Sequence, residues 1–311
     1  MASPELVALA QPYLAPFLTE AVAERYRFVD LGQQPGVAPD ARAVVVDGGR
    51  PFDASLREAM PRLGLIACFN AGYDGIDVEW ARKHGIIVTH ARHINHEDVA
   101  DFAIGQVLNV YRKIGLGDRW VRDGSWQSGN RLMTRSIAGL RLGIVGLGGI
   151  GQALARRADA MRMVTSWWGP HHKSGVPWPR ASSLIDLAAE SDALVIAASA
   201  KPSNRGLISA SVIEALGPGG MLVNVARGSL VDEAAVILAL MRGTLGAAVL
   251  DVYDEEPTSP DRWAGVPNVF LSPHIAGVTD LAMRRMVELL GANLDAFFKG
   301  EPVPTPVSLA A

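Results

Sequence analysis

Three polar residues stand where successive apolar runs end. Arg227 follows the run 221–226, Asp251 ends the run 247–250, and His274 follows 269–273. Glu256 lies in the loop beyond Asp251, just before Pro257. If these runs are parallel strands of one open sheet, their carboxyl ends share a crevice, which is where such sheets bind ligands. Arg, Glu and His converging there suit proton transfer on an anion. A guanidinium can hold a carboxylate, and a histidine tuned by an acid can donate a proton. Each residue alone is more often a salt bridge or a cap than a catalytic group; their joint succession points to catalysis.

Upstream lies Gly146-Leu147-Gly148-Gly149-Ile150-Gly151. Glycine-rich turns often serve only close packing. Here the string follows the apolar run 142–145 and opens a helical stretch, 152–161, which is the context dinucleotide binding needs. Gly146 allows the tight turn, Gly148 lets the backbone approach a pyrophosphate, and Gly151 lets helix pack on strand. Free amides at the helix start then bind the phosphates. An NAD site usually places an acid about 20 residues further on, to bind the ribose 2′-hydroxyl. The position aligned with that acid is Trp168, in Ser166-Trp167-Trp168-Gly169-Pro170-His171-His172-Lys173. No Asp or Glu lies between Met161 and Lys173, so a 2′-phosphate is tolerated there, and His171, His172 or Lys173 could attract it.

The elements that would position these residues are written as short β-like runs alternating with helical ones, the pattern of parallel sheets flanked by helices. In the first third the strand candidates are 43–47, 65–69 and 86–89, with helical stretches at 52–63 and 76–84. From Asn95 a long helix is expected to about Ile114, with Asn95 as its cap and Glu97 and Asp98 at its positive end. A loop follows at 124–130. The second unit has strand candidates at 142–145, 163–167, 193–198, 221–226, 247–251 and 269–272, a Ser183–Asp186 cap pair, and a last helix over 280–298 that stops at Gly300.

Composition agrees with this class. At roughly 150 residues per domain, a chain of 311 suggests about two domains. It is 49% hydrophobic and 20% charged with net charge −3, which argues against disorder, nucleic acid and anionic membrane. The single cysteine, Cys68, excludes an intramolecular disulfide. No run suits a membrane helix, and the N-terminus is a poor signal peptide, so a cytoplasmic location is expected. His93, His96 and Glu97 lack a third ligand at useful spacing, so no metal is expected; His84 and His90 read as surface or loop residues.

The segments NAGYDGIDVEWARKHGIIV, EDVADFAIGQVL, RLGIVGLGGIGQALARRA, LVNVARGSLVDE, GAAVLDVYDEEP and LSPHIAGVT, in that order, resemble the D-isomer-specific 2-hydroxyacid dehydrogenases. Within that family the combination resembles the glyoxylate/hydroxypyruvate reductase and 2-ketogluconate reductase branch. The resemblance implies an α/β fold of two Rossmann-like or flavodoxin-like domains with parallel sheets and a cleft between them. Residues 1–96 with 281–311 would form the substrate domain and 97–280 the dinucleotide-binding domain.

It also implies roles. Arg227 would pair with the carboxylate and carbonyl of a 2-oxo acid, His274 would be the general acid/base, and Glu256 would hydrogen-bond His274. The Ala71-Gly72 turn would cradle the substrate carboxylate, with Arg227 and His274 completing the substrate contacts. Cofactor contacts would come from Gly146, Gly148, Gly149, Ile150, Gly151, Trp168, Gly169, Pro170, His171, Ser199, Val225, Ala226, Asp251 and Gly277, with Asp251 near the nicotinamide carboxamide. Gly149 replaces an arginine frequent in the family, and Trp168 replaces the acid. The implied cofactor is therefore NADP(H) in preference to NAD(H). The implied partners are a small 2-oxo or 2-hydroxy acid and a second subunit in a homodimer, packed near Trp120 and Trp126. Alternatives are another substrate, such as 3-phosphoglycerate or D-lactate, and a dinucleotide-sensing protein of the corepressor type.

Overall fold

Apolar runs of four or five residues become parallel strands, and the segments between them supply the helices. The computed structural model describes residues 4–18, 20–31, 38–53, 55–127 and 129–308. The chain forms two units, Met1–Asn95 with Thr279–Ala311, and His96–Val278.

The first unit begins with β1 (Glu5–Leu9), α1 (Glu20–Ala23), β2 (Tyr26–Asp30), β3 (Ala43–Val46), α2 (Leu56–Ala59), β4 (Leu65–Cys68), α3 (Val78–Lys83) and β5 (Ile87–Thr89). Its sheet runs β2-β1-β3-β4-β5, all parallel. Strands β3 and β4 are buried along their whole length, which is why they read as continuous apolar runs rather than alternating ones.

The second unit carries α4 (His96–Tyr111), α5 (Ile114–Arg122), β6 (Arg141–Val145), α6 (Gly149–Ala160), β7 (Val164–Trp168), α7 (Leu184–Ala189), β8 (Ala193–Ile196), α8 (Ala210–Leu216), β9 (Met221–Asn224), α9 (Glu233–Arg242), β10 (Ala247–Leu250), α10 (Pro260–Trp263) and β11 (Val269–Leu271). Its parallel sheet has the order β11-β10-β9-β8-β6-β7. Alternate residues of each strand enter different cores. Ile144, Val195, Val223 and Val249 pack with α4 and α6, whereas Val145, Leu194, Ile196 and Leu222 pack with α7, α8 and α9. Strand order reverses between β6 and β8, and that switch point is where the glycine turn emerges. The chain then returns to the first unit as α11 (Asp280–Lys299), whose Ala282, Met286, Leu290 and Leu294 pack against Val7, Val45 and Leu65. Thr279 caps α11 through the Ala282 N–H, and Gly300 ends it in the left-handed region at φ 75°.

Several expectations need correction. Strands β1 and β2 lie outside the strand candidates. Strand β1 is a short apolar run between Pro4 and Pro12, and β2 sits at the sheet edge with mostly half-buried residues. The helix expected over 52–63 shrinks to α2, because Pro51 and Pro61 flank a segment that closes in turns. The long helix stops at Tyr111. Lys113 turns left-handed at φ 51°, and α5 starts anew. The strands expected to reach Ala198, Ala226 and Asp251 end earlier, at Ile196, Asn224 and Leu250, and their last expected residues belong to the loops that follow. The Ser183 cap is present, its hydroxyl accepting the Asp186 N–H at 3.0 Å.

Candidate active site

The glycine turn is shaped by close approach. Gly146 has φ 94°, and a Cβ there would lie 2.7 Å from the Ala198 Cα, so no side chain fits. A Cβ on Gly151 would lie 2.2 Å from the Gly146 carbonyl oxygen, which fixes how tightly α6 packs on β6. Gly148 differs: nothing lies within 4 Å of where its Cβ would be. It is the N-cap of α6, has no side-chain cap, and no acid occupies the first turn. The turn thus leaves open space over a helix N-terminus whose N–H groups need an anion, which fits a pyrophosphate.

The loop after β11 carries His274 in a conformation that few side chains tolerate. Its φ is 54°, a left-handed backbone that costs on the order of 1–3 kcal/mol. What holds it is Asp251, at the end of β10 and only 1% exposed. One carboxylate oxygen accepts the Ser272 hydroxyl at 2.6 Å and the Ile275 N–H at 2.9 Å; the other accepts the Ala276 N–H at 2.8 Å. The His274 N–H donates to the Asp251 carbonyl at 2.8 Å. Tyr253 adds a brace, its hydroxyl lying 2.9 Å from the Ser272 carbonyl. The carboxylate of Asp251 is therefore spent on the histidine loop. Sequence reasoning missed this bracing by Ser272 and Tyr253; the signal was their position at two adjacent strand ends.

Glu256 reaches that loop. Its carboxylate accepts the Tyr253 N–H at 3.0 Å through one oxygen and lies 2.8 Å from the His274 Nδ1 through the other. The hydrogen bond to Glu256 raises the His274 pKa above the ordinary imidazole value. Burial and the Arg227 charge oppose this, and the Glu256 and Asp251 charges assist. Burial pushes the Glu256 carboxyl up, but its bonds to His274 and Tyr253 outweigh that and leave it lowered. The pair is half-exposed, with 47% and 34% of the side-chain surfaces open. Arg227 stands beyond β9, half-buried, with its Nη1 donating to the Ala226 carbonyl at 2.7 Å. Next to it, a Cβ on Gly228 would lie 1.8 Å from the Tyr253 carbonyl carbon, so glycine lets the arginine loop press against the loop bearing Glu256. The three residues read from the sequence as a set are thus gathered at the carboxyl ends of β9, β10 and β11.

Other expected contacts divide. Val225 and Ala226 are buried beside Arg227, Ser199 is exposed beyond β8, and Gly277 is half-buried after the histidine loop. Gly149 and Ile150 open α6, with Ile150 packed on its core. Trp168 is placed differently from an acidic ribose ligand. It pairs with Val145, and its ring joins the core of α7 and α8, opposite α6. The residue at this strand end on the α6 side is Gly169, where an added Cβ would lie 3.3 Å from the Trp167 ring. Pro170 and His171 follow, exposed. In the first unit, the Ala71 and Gly72 N–H groups find no partner among the described residues. His90, expected only as a surface or loop residue, holds this turn: its Nδ1 lies 2.9 Å from the Ala71 carbonyl, and burial lowers its pKa. Glu97 is occupied by Arg156 and Arg157, and no group of three metal-ligating side chains occurs among the described residues. Nor is any described helix long and apolar enough to cross a membrane.

The family model for the D-isomer specific 2-hydroxyacid dehydrogenase NAD binding domain matches residues 104–276. This chain belongs to that family. It is 36% identical to a hydroxyphenylpyruvate reductase of Plectranthus scutellarioides over 94% of this chain and 96% of that one. It is 34% identical to a glyoxylate/hydroxypyruvate reductase of Arabidopsis thaliana over 98% of both. The NADPH-dependent glyoxylate/hydroxypyruvate reductase of Sinorhizobium meliloti, solved with NADP and malonate, superposes with a TM-score of 0.89 at 33% identity, covering 99% of this chain and 97% of that one. As a member of the family the chain is an NAD(P)-dependent oxidoreductase with an α/β fold of two parallel sheets.

Proposed function

We propose that the chain reduces a small 2-oxo acid of the glyoxylate, hydroxypyruvate or 2-ketogluconate type to the D-2-hydroxy acid, with NADPH preferred to NADH. The observation that carries this reading is the His274–Glu256 pair at 2.8 Å, set beside Arg227 at the carboxyl ends of the sheet that bears the glycine turn. The first turn of α6 with Gly146, Gly148 and Gly151 would hold the pyrophosphate, and when bound the nicotinamide supplies the hydride. Arg227 binds the carboxylate of the oxo acid and orients its carbonyl. Glu256 engages Nδ1 of His274, so Nε2 is the nitrogen that hands its proton to the carbonyl oxygen as the carbon gains hydride. The carboxylate raises the His274 pKa and so favours the protonated state that reduction needs.

By this reading His96–Val278 is the coenzyme domain and the other unit the substrate domain. A homodimer is part of the proposal, supported by exposed apolar side chains on and after α5: Val121, Trp126 and Met133 are 64, 68 and 76% exposed. Sedimentation at micromolar concentration should give twice the chain mass, and a monomer would remove the dimer from the proposal. The deciding assay is a panel of glyoxylate, hydroxypyruvate, 2-ketogluconate and hydroxyphenylpyruvate with NADPH and with NADH. Turnover of at least one of the first three, faster with NADPH, is expected; oxidation of neither coenzyme by any acid overturns the reading.

A further inference from the structure

Beyond β7 the chain loops out and returns at residues 178–181 to line the edge of that strand. The Trp167 N–H donates to the Pro179 carbonyl at 3.0 Å, and the Ala181 N–H donates back to the Trp167 carbonyl at 2.8 Å. The two indoles lock the return: Trp167 Nε1 donates to the Trp178 carbonyl at 3.0 Å, and Trp178 Nε1 to Asp159 at 2.8 Å. Arg180 is the residue placed opposite Trp167 in this pairing. Its guanidinium lies 5.9 Å from the centroid of the Trp167 ring and donates from Nη2 and Nε to the Gly169 carbonyl, at 2.7 and 3.2 Å.

That carbonyl marks a particular place. The Gly146 N–H, in the cofactor turn, donates to the carbonyl of Trp168 at 2.8 Å. Gly169, the next residue, is therefore where the second strand of the sheet ends beside the turn, the position from which an acid would select NAD. Here there is no side chain at Gly169, no acid from Met161 to Ile185, and a permanent cation fixed on the Gly169 carbonyl. Arg180 forms no ion pair among the described residues, and two of its five N–H groups serve Gly169, leaving three.

We propose that Arg180 binds the 2′-phosphate of NADP(H) and is the residue that sets coenzyme preference. The inference rests on the NADPH reading above. It moves the attraction from the exposed loop residues His171, His172 and Lys173 to a guanidinium already held on two sides, which loses less freedom on binding a phosphate. A charge-assisted contact of this kind is worth about tenfold or more in affinity.

The test is direct coenzyme binding by titration calorimetry with NADP+ and NAD+, without substrate. Wild-type chain should bind NADP+ more tightly. Arg180→Gln should weaken NADP+ about tenfold and leave NAD+ within twofold, the latter showing that the site is still folded. Arg180→Lys should recover part of the loss, and Lys173→Gln should change the ratio less than Arg180→Gln. A wild-type preference for NAD+ overturns both the NADPH reading and the assignment. A wild-type preference for NADP+ that survives Arg180→Gln within twofold overturns the assignment alone, as does a larger effect from Lys173→Gln. Weakening of both coenzymes alike by Arg180→Gln and Arg180→Lys also overturns it, because the residue would then be structural.

Discussion

Replacing Asp251 by Asn changes one atom and should disable the histidine loop. The carboxylate makes three hydrogen bonds, to Ser272, Ile275 and Ala276, in a place water cannot reach. Bonds to a charged acceptor contribute about 1.5–3 kcal/mol each. Together they exceed the ~1–3 kcal/mol needed to hold His274 left-handed. Asparagine retains one acceptor oxygen. Its better rotamer keeps the bonds to Ser272 and Ile275 and turns an amide N–H toward the Ala276 N–H, so one bond is lost outright. The other two become neutral bonds of about 0.5–1.5 kcal/mol. The remaining restraint, ~1–3 kcal/mol, only matches the strain. Each 1.4 kcal/mol of misalignment is about tenfold in rate, so kcat should fall at least tenfold, bounded by the ~10²–10⁴-fold that a general acid contributes. Steady-state turnover of the best oxo acid with NADPH measures it, alongside a thermal melt, where the unsatisfied Ala276 N–H should lower Tm by several degrees. If kcat and Tm both match wild type, the loop is held by its own backbone and the argument from Asp251 is wrong.

Other expectations follow from the same loops. His274→Ala should lower kcat by about 10²–10⁴-fold while NADP+ affinity, measured by calorimetry, stays near wild type; near-full turnover would mean another group supplies the proton. Glu256→Gln removes the partner that raises the His274 pKa. Protonated histidine then survives only to lower pH, so the fall of reductive kcat with rising pH should begin earlier; an unshifted profile would show that Glu256 does not tune the proton donor. Arg227→Lys should raise KM for the oxo acid and recover only part of the kcat lost in Arg227→Ala, since a point charge cannot reproduce a fork. Unchanged oxo-acid kinetics in either variant would remove Arg227 from the substrate contacts.

The strands of the second unit are legible in the sequence because each is a short apolar run that stops at a turn; β8, β9 and β10 are buried along their whole length, whereas β7 and β11 lie at the sheet edges with exposed residues. The same property makes Arg227, Asp251 and His274 visible as strand-end residues from the order of amino acids alone. Division of labour among them is not visible in that way. Asp251 and His274 sit at equivalent places, yet one is buried as an anchor and the other half-exposed, a difference made by the turn at Ser272 and Pro273. Trp168 shows another limit. A one-residue step along a strand moves a side chain to the opposite face, so aligning an acid with Trp168 rather than Gly169 points to the wrong side of the sheet. Arg180 is hidden for a simpler reason. It reaches Gly169 only because residues 178–181 return to pair with the edge of β7, and nothing in the segment alternates like a strand.

The placement of α11 governs the order in which the chain can finish folding. The first sheet leaves the ribosome early, but the cover of Val7, Val45 and Leu65 is completed only when α11 has been made. Between them lies the whole second unit, ~180 residues, which at ~5–20 residues per second takes on the order of 10–40 s to synthesise. The second unit is continuous in sequence and can close on itself during that interval, whereas the first waits with one apolar face only partly covered. A nascent chain halted near residue 278 should therefore resist protease across the coenzyme unit and be cut within the first ninety or so residues, the stretch most dependent on chaperones until translation ends.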